Sequence, residues 1–318
     1  MLSHVSIFCF AASYTVALIG EVSRLFFRVP VRLLVTSGFT AAGLFAHTVY
    51  LVMRSNPEPQ QAPPLSSWFD WLLLMAWGVA AVYLLLTFRR PQATVGIFML
   101  PLVLLLIGVA SQFRNAEAFP RSQALSVWGI VHGGALLLGA VFVMLGFLAG
   151  SMYLVQSYRL KHKLPPRPGF KLPSLEWLQH ANRRALVVSS CLLAVGLLSG
   201  TVLNLLKRRE GMPWTDPVVW TSGILFLWLV AVLLFESLYK PAQQGRKVAY
   251  LTLASFLFLA LVLSIALFGP SRHATTFRGD ATESRVEDDR RPAWVGLKSH
   301  LLLASRSVQD ADRPGDPR

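Results

Sequence analysis

The sequence predicts an all-α protein: a polytopic integral membrane helix bundle of about eight transmembrane helices, with its N-terminus outside. Three observations carry that expectation. Charged residues make up only 14% of the 318 residues and hydrophobic ones 54%, whereas a soluble globular domain carries roughly 25% charged residues. The mean hydropathy is +0.51. The apolar residues are also gathered into blocks near the roughly 20 residues a helix needs to cross a bilayer. Within lipid only a helix satisfies its backbone inside one segment.

The spans fall at about 4–23, 31–53, 67–88, 94–112, 127–156, 184–206, 217–239 and 247–269. The first is followed, not preceded, by Arg24 and Arg28, and MLSHVSIFCF lacks the basic start of a signal peptide, so an uncleaved first helix is expected. Lys and Arg then set the orientation. Arg24, Arg28 and Arg32, Arg89 and Arg90, the basic segment 157–184, and Lys240, Arg246 and Lys247 share one side. They outnumber Arg54, Arg114, Arg121, Lys207, Arg208 and Arg209 on the other, so the first group is assigned to the inside. The net charge of +14 is read in the same way, as loop charge and not as a nucleic-acid surface.

Residues 1–270 form the transmembrane domain in this reading. The segment 271–318 turns to Arg, Asp, Ser and Pro and is expected to be a disordered tail, with AWVGLKSHLLLA (293–304) as a candidate interfacial helix. Cys9 and Cys191 lie inside apolar runs, make no CxxC or CxxCH pattern, and read as buried small hydrophobes. Hydrolase, P-loop, dinucleotide and zinc motifs are missing from the sequence. Acidic residues are scarce in the spans, with Glu21 and Glu236 near inner ends, which does not suit a proton-relay transporter. Gly146 with Gly150, and Gly196 with Gly200, have the spacing that lets membrane helices approach closely.

Candidate chemistry collects on the outer side. His132 opens span five and His273 follows span eight, so helix parity puts both at one face. They are either two unrelated interfacial histidines or a pair able to hold a haem iron from both sides. GMPWTDPVVW (211–220) lies at the same face. Asp216 can cap span seven with Pro217 in its first turn, while Trp214 and Trp220 serve either as belt residues or as flat surface for a porphyrin. Lys207, Arg208 and Arg209 just before it break the inside-positive trend and suit haem propionates. His47, in the outer half of span two, is either a neutral histidine bonded to a neighbouring helix or a possible intramembrane site.

Several segments then fall into a known order. GLFAHTVYLVMR with a Pro-rich loop is followed by SSWFDWLLLMAWGVAAVYLLL, VHGGALLLGAVFVMLGFLAGSMYLVQSYRLKHK, LPSLEWLQHANRRALVVSSCLLAVGLLSGTV, PWTDPVVW and QQGRKVAYLTLASFLFLALVLSIALFGPSRH. Over about residues 1–275 the chain resembles the CcsA family of cytochrome c assembly proteins, in the haem-handling group with CcmC, CcmF and HemX-type proteins. The resemblance implies binding of non-covalent haem b at the outer face of a bacterial inner or plasma membrane. It implies His132 and His273 as axial iron ligands and Trp214, Asp216, Pro217 and Trp220 along the haem. It also implies a ResB/CcsB-type partner and apocytochrome c, and an assembly factor in place of an enzyme. Three departures stand out: the Trp-rich motif is reduced, with Trp214 alone before Asp216 and Pro217; Val218 and Val219 replace the family's Lys-Glu pair; and span seven lacks the histidine that the family places there. They leave an alternative, a HemX-like membrane regulator or scaffold of haem biosynthesis acting on glutamyl-tRNA reductase through the basic inner loop.

Overall fold

In a computed structural model of the chain, the described residues are 6–27, 32–55, 67–114, 127–165, 169–206, 217–238 and 246–268. They form eight helices: α1 (Ile7–Ser23), α2 (Arg32–Ser55), α3 (Trp68–Arg89), α4 (Gly96–Gln112), α5 (Val127–Lys161), α6 (Leu175–Leu206), α7 (Pro217–Leu238) and α8 (Arg246–Phe268). No strand occurs among the described residues. Six helices are long and apolar enough to cross a membrane, and α1 and α4 are shorter apolar helices of 17 residues, about 26 Å at 1.5 Å per residue. The protein is a multi-pass membrane protein, and its outward surface agrees: Phe8, Leu34, Phe45, Leu198, Leu227 and Leu257 are all exposed.

The polar side chains are found inside. Thr40, His47, Ser189, Ser199 and Ser255 are buried, and interhelical hydrogen bonds use such groups. The Trp77 indole donates to the Thr48 hydroxyl at 2.9 Å, Trp228 donates to Ser255 at 3.0 Å, and the Tyr83 hydroxyl donates to Glu21 at 3.2 Å. Helices in lipid gain little from hydrophobicity, so such bonds and close packing must hold them together.

α5 is the central helix. It packs along α6 for most of their lengths, and against α8, α3 and the edge of α4. Glycines set these distances. A Cβ built at Gly139 would lie 3.3 Å from Leu193 on α6, and one at Gly146 would lie 3.5 Å from Ala185. One at Gly150 would meet the Thr252 hydroxyl at 2.8 Å and the Ala249 carbonyl at 3.4 Å, both on α8.

The two ends of the bundle differ. At one end the start of α3 meets the end of α2, where Arg54 pairs with Asp70, itself bonded by Ser67. Trp71 of α3 packs on Gly133 at the start of α5, and Phe113 just after α4 packs on Phe268 at the end of α8. At the other end the loops are tied together by basic residues. Arg24 donates to the Gln92 carbonyl at 2.6 Å, the Thr94 N–H to the Lys171 carbonyl at 2.7 Å, and the Arg90 guanidinium lies 4.5 Å over the Trp177 ring.

Three details depart from the sequence reading. α6 begins at Leu175 and not near 184, so His180, Arg183 and Arg184 are helical. Ser174 makes that start possible, because its hydroxyl accepts from the Trp177 N–H at 3.3 Å and its carbonyl from the Leu178 N–H. α5 runs on to Lys161 for a related reason: a helix need not stop at the hydrocarbon boundary. Cys9 and Cys191 are exposed on the outside of the bundle and not buried, since an apolar thiol is as well placed against lipid as in a core. The tail 271–318, including 293–304, lies outside the described residues.

The α5–α8 contact gives a direct test. Gly150→Val is expected to destabilise by about 1–3 kcal/mol through overpacking against Thr252 and Ala249. Gly108→Val, where a Cβ meets nothing within 4 Å, is expected to be close to neutral. Thermal unfolding of both variants in detergent reads the difference.

Candidate functional site

The first turns of α5 carry VWGIVHGG, and His132 turns its ring toward α6. The ring is half-buried, and its Nδ1 lies 2.6 Å from the carbonyl oxygen of Gly196. A carbonyl can only accept, so Nδ1 carries the proton. In the neutral imidazole, Nε2 is therefore the nitrogen with the lone pair.

Two glycines on α6 make room for this ring. A Cβ at Gly200 would stand 2.7 Å from His132 Cε1 and 2.8 Å from Nδ1, and one at Gly196 would stand 2.6 Å from a methyl of Leu136. The Gly196–Gly200 spacing thus serves one turn of α5, the turn with His132 and Leu136. Gly196 also accepts from the Ser199 hydroxyl at 2.9 Å, which fixes the carbonyl further. This carbonyl is the partner of His132 that residue-by-residue reading missed. The available signal was the glycine pair lying at the outer end of the helix that follows His132.

A metal-binding imidazole commonly donates its other N–H to a carbonyl, which orients the ring and raises the basicity of the ligating nitrogen. His132 has that arrangement, so it fits one axial position of a haem. His273, its expected partner, lies outside the described residues, as do Lys207, Arg208, Arg209, Trp214 and Asp216. Among the described residues no cluster of three or more His, Cys, Asp or Glu could hold a metal ion.

Pro217 is the first residue of α7, where a missing N–H costs nothing. Trp220 follows one turn on and is 58% exposed. α7 runs beside α8, with Trp228 bonded to Ser255, and this pairing sets the start of α7 at the end of the bundle where α8 finishes. That is the end at which His132 sits.

His47 belongs to a different part of the bundle. It is fully buried on α2, stacked on Phe10 of α1 at 4.2 Å and 2°, with the Tyr14 hydroxyl 3.5 Å from its Nδ1. Its Nε2 has no hydrogen-bond partner among the described residues.

Comparison with known proteins follows the same lines. The model of the family described as "Cytochrome C assembly protein" matches residues 65–270. The chain is similar to the "Cytochrome c biogenesis protein CcsA" of Microcystis aeruginosa, at 23% identity over 260 residues, covering 66% of this chain and 78% of that one. It is similar at 22% identity over 251 residues to the protein of the same name from Pyropia yezoensis, with the same shares covered. For that from Trieres chinensis the identity is 23% over 243 residues, covering 66% of this chain and 77% of the relative. No solved structure matches the chain.

The seat of His132 can be tested without any ligand. Gly200→Ala is expected to cost about 1–3 kcal/mol in the native background, because the added methyl meets the imidazole. In a His132→Ala background the ring is gone and most of that cost should vanish. A double-mutant cycle on thermal stability in detergent measures the coupling. Additive effects would show that Gly200 does not seat His132.

Proposed function

The chain belongs to the cytochrome c assembly protein family, and from that premise we propose that it binds haem b non-covalently and presents it for attachment to an apocytochrome c. The site is the outer face of a bacterial inner or plasma membrane, at the end of the bundle formed by the start of α5, the end of α6 and the start of α7. His132 and His273 hold the iron from its two sides. Trp214 and Trp220 cover the porphyrin, Asp216 and Pro217 fix the start of α7 beneath them, and Lys207, Arg208 and Arg209 pair with the propionates. The protein is an assembly factor, and a ResB/CcsB-type partner supplies what attachment further needs.

The observation that carries this reading is the 2.6 Å contact of His132 Nδ1 with the Gly196 carbonyl, in a notch that Gly200 keeps open. It holds one tautomer and one ring orientation, as a ligand requires and a belt histidine does not. Bound haem brings its own iron and vinyl chemistry. The chain's part is to bind it, orient it and keep one face accessible. An α7 with no imidazole in PVVWTSGILFLWLVAVLLFESL fits presentation at one face better than passage through the membrane.

Protein purified from haem-replete cells is expected to show a Soret band that the His132→Ala/His273→Ala double variant loses. Gly200→Ala is expected to retain less haem than the native chain at equal expression. A preparation without the band, or with a band that the double variant keeps, would overturn the reading. In cells, deletion is expected to remove holo-cytochromes c. Normal cytochromes with altered glutamyl-tRNA reductase abundance would instead favour the HemX-like regulator.

A further inference from the structure

The opposite end of the bundle holds a cavity that the haem reading does not use. Its volume is about 630 Å³, within the range of ligand sites. Val82 and Leu86 of α3, with Phe142, Leu145 and Met152 of α5, form apolar wall. Trp177, His180 and Arg184, on one face of α6, form the rim along with Glu176.

Arg184 is the unusual member. It is exposed, and no hydrogen bond or ion pair joins it to another described residue. It stands eight residues into α6 from Glu176, about 12 Å along the axis, where the apolar run LVVSSCLLAVGLL begins. A guanidinium at that depth needs an anion, and at a bilayer boundary the available one is a headgroup phosphate. The surroundings have the same sign: Arg89, Arg90, Lys171 and Arg183 lie at this end of the bundle. The Glu176 carboxylate is in the first turn of α6, two turns from Arg184, so it opposes an anion at the mouth and not at Arg184. Trp177, held under Arg90, has the amphipathic ring that settles at headgroup level.

We propose that this cavity is a binding site for an anionic phospholipid, with an acyl chain against Phe142 and Leu145 and the phosphate on Arg184. His180 borders the phosphate position. Its Nδ1 donates to the Glu176 carbonyl at 2.8 Å, so in the neutral ring its Nε2 accepts and leaves the phosphate to Arg184. The site is independent of haem binding at His132.

The test uses full-length protein in mild detergent, titrated with dioleoyl phosphatidylglycerol or dioleoyl phosphatidylcholine and read by native mass spectrometry. The native chain is expected to retain phosphatidylglycerol about tenfold better, a difference typical of one charge-assisted contact. Arg184→Gln is expected to erase that preference. Leu145→Trp, which fills the wall without changing charge, is expected to lower retention of both lipids. The His132→Ala/His273→Ala variant is expected to keep the preference, so failure of the haem reading leaves this result in place. Equal retention of the two lipids, a preference that survives Arg184→Gln, or retention unchanged in Leu145→Trp would overturn the proposal. So would haem displacing phosphatidylglycerol with an absorption band that His180→Ala removes.

Discussion

Lipid gives two helices no hydrophobic reason to associate, so the α5–α6 seam rests on how closely their backbones can approach. Small residues decide that distance along its whole length. Gly139 lies against Leu192 and Leu193, Gly146 against Ala185 and Asn182, and Gly196 and Gly200 against Leu136 and His132. The glycines are divided between the two helices, with α6 supplying them at the His132 end and α5 further along, so neither one provides the whole groove. Each of the two is a single helix of more than thirty residues, so a larger residue at any one of these glycines would splay the pair at that level.

That rigid pair relates the two ends of the protein. Arg184 and Gly200 are sixteen residues apart on α6, about 24 Å along the axis, and a hydrocarbon core is about 30 Å thick. The ring of His132 and the guanidinium of Arg184 therefore stand near the two boundaries of one membrane-spanning unit. α8 joins this unit through Gly150 and Thr252, and α7 joins α8 through Trp228 and Ser255. α1 and α2 make their main contacts elsewhere, with each other, with α3 and with α4. His47 belongs to that second group, which separates it physically from His132.

Much of this was legible because a bilayer imposes a length on apolar runs. All eight helices were marked by their apolar blocks, and Pro217 marked the start of α7. The start of α6 was not, because Glu176, His180, Arg183 and Arg184 look like loop residues to a hydropathy argument. A capped helix tolerates them once it leaves the hydrocarbon. The sides of the helices were also illegible: Cys9 and Cys191 are apolar enough for either side, and lipid removes the contrast that separates inside from outside in water. His132 was singled out as a candidate from motif order, and the glycine pair could be seen as a pattern. That the two belong together required the antiparallel register of α5 and α6. The Gly196 carbonyl is a backbone group and has no side-chain signature.

The carbonyl also separates two kinds of interfacial histidine. A ring anchored only by amphipathicity rotates and exchanges tautomers, since headgroup and water partners are interchangeable. The Nδ1 of His132 has the Gly196 carbonyl as its acceptor, and the ring edge lies over Gly200, where a Cβ would meet it. Changing tautomer would require breaking a bond to a carbonyl that has no proton to give in return. In the neutral ring the lone pair is consequently on Nε2, and the entropy of orienting the ring is spent during folding.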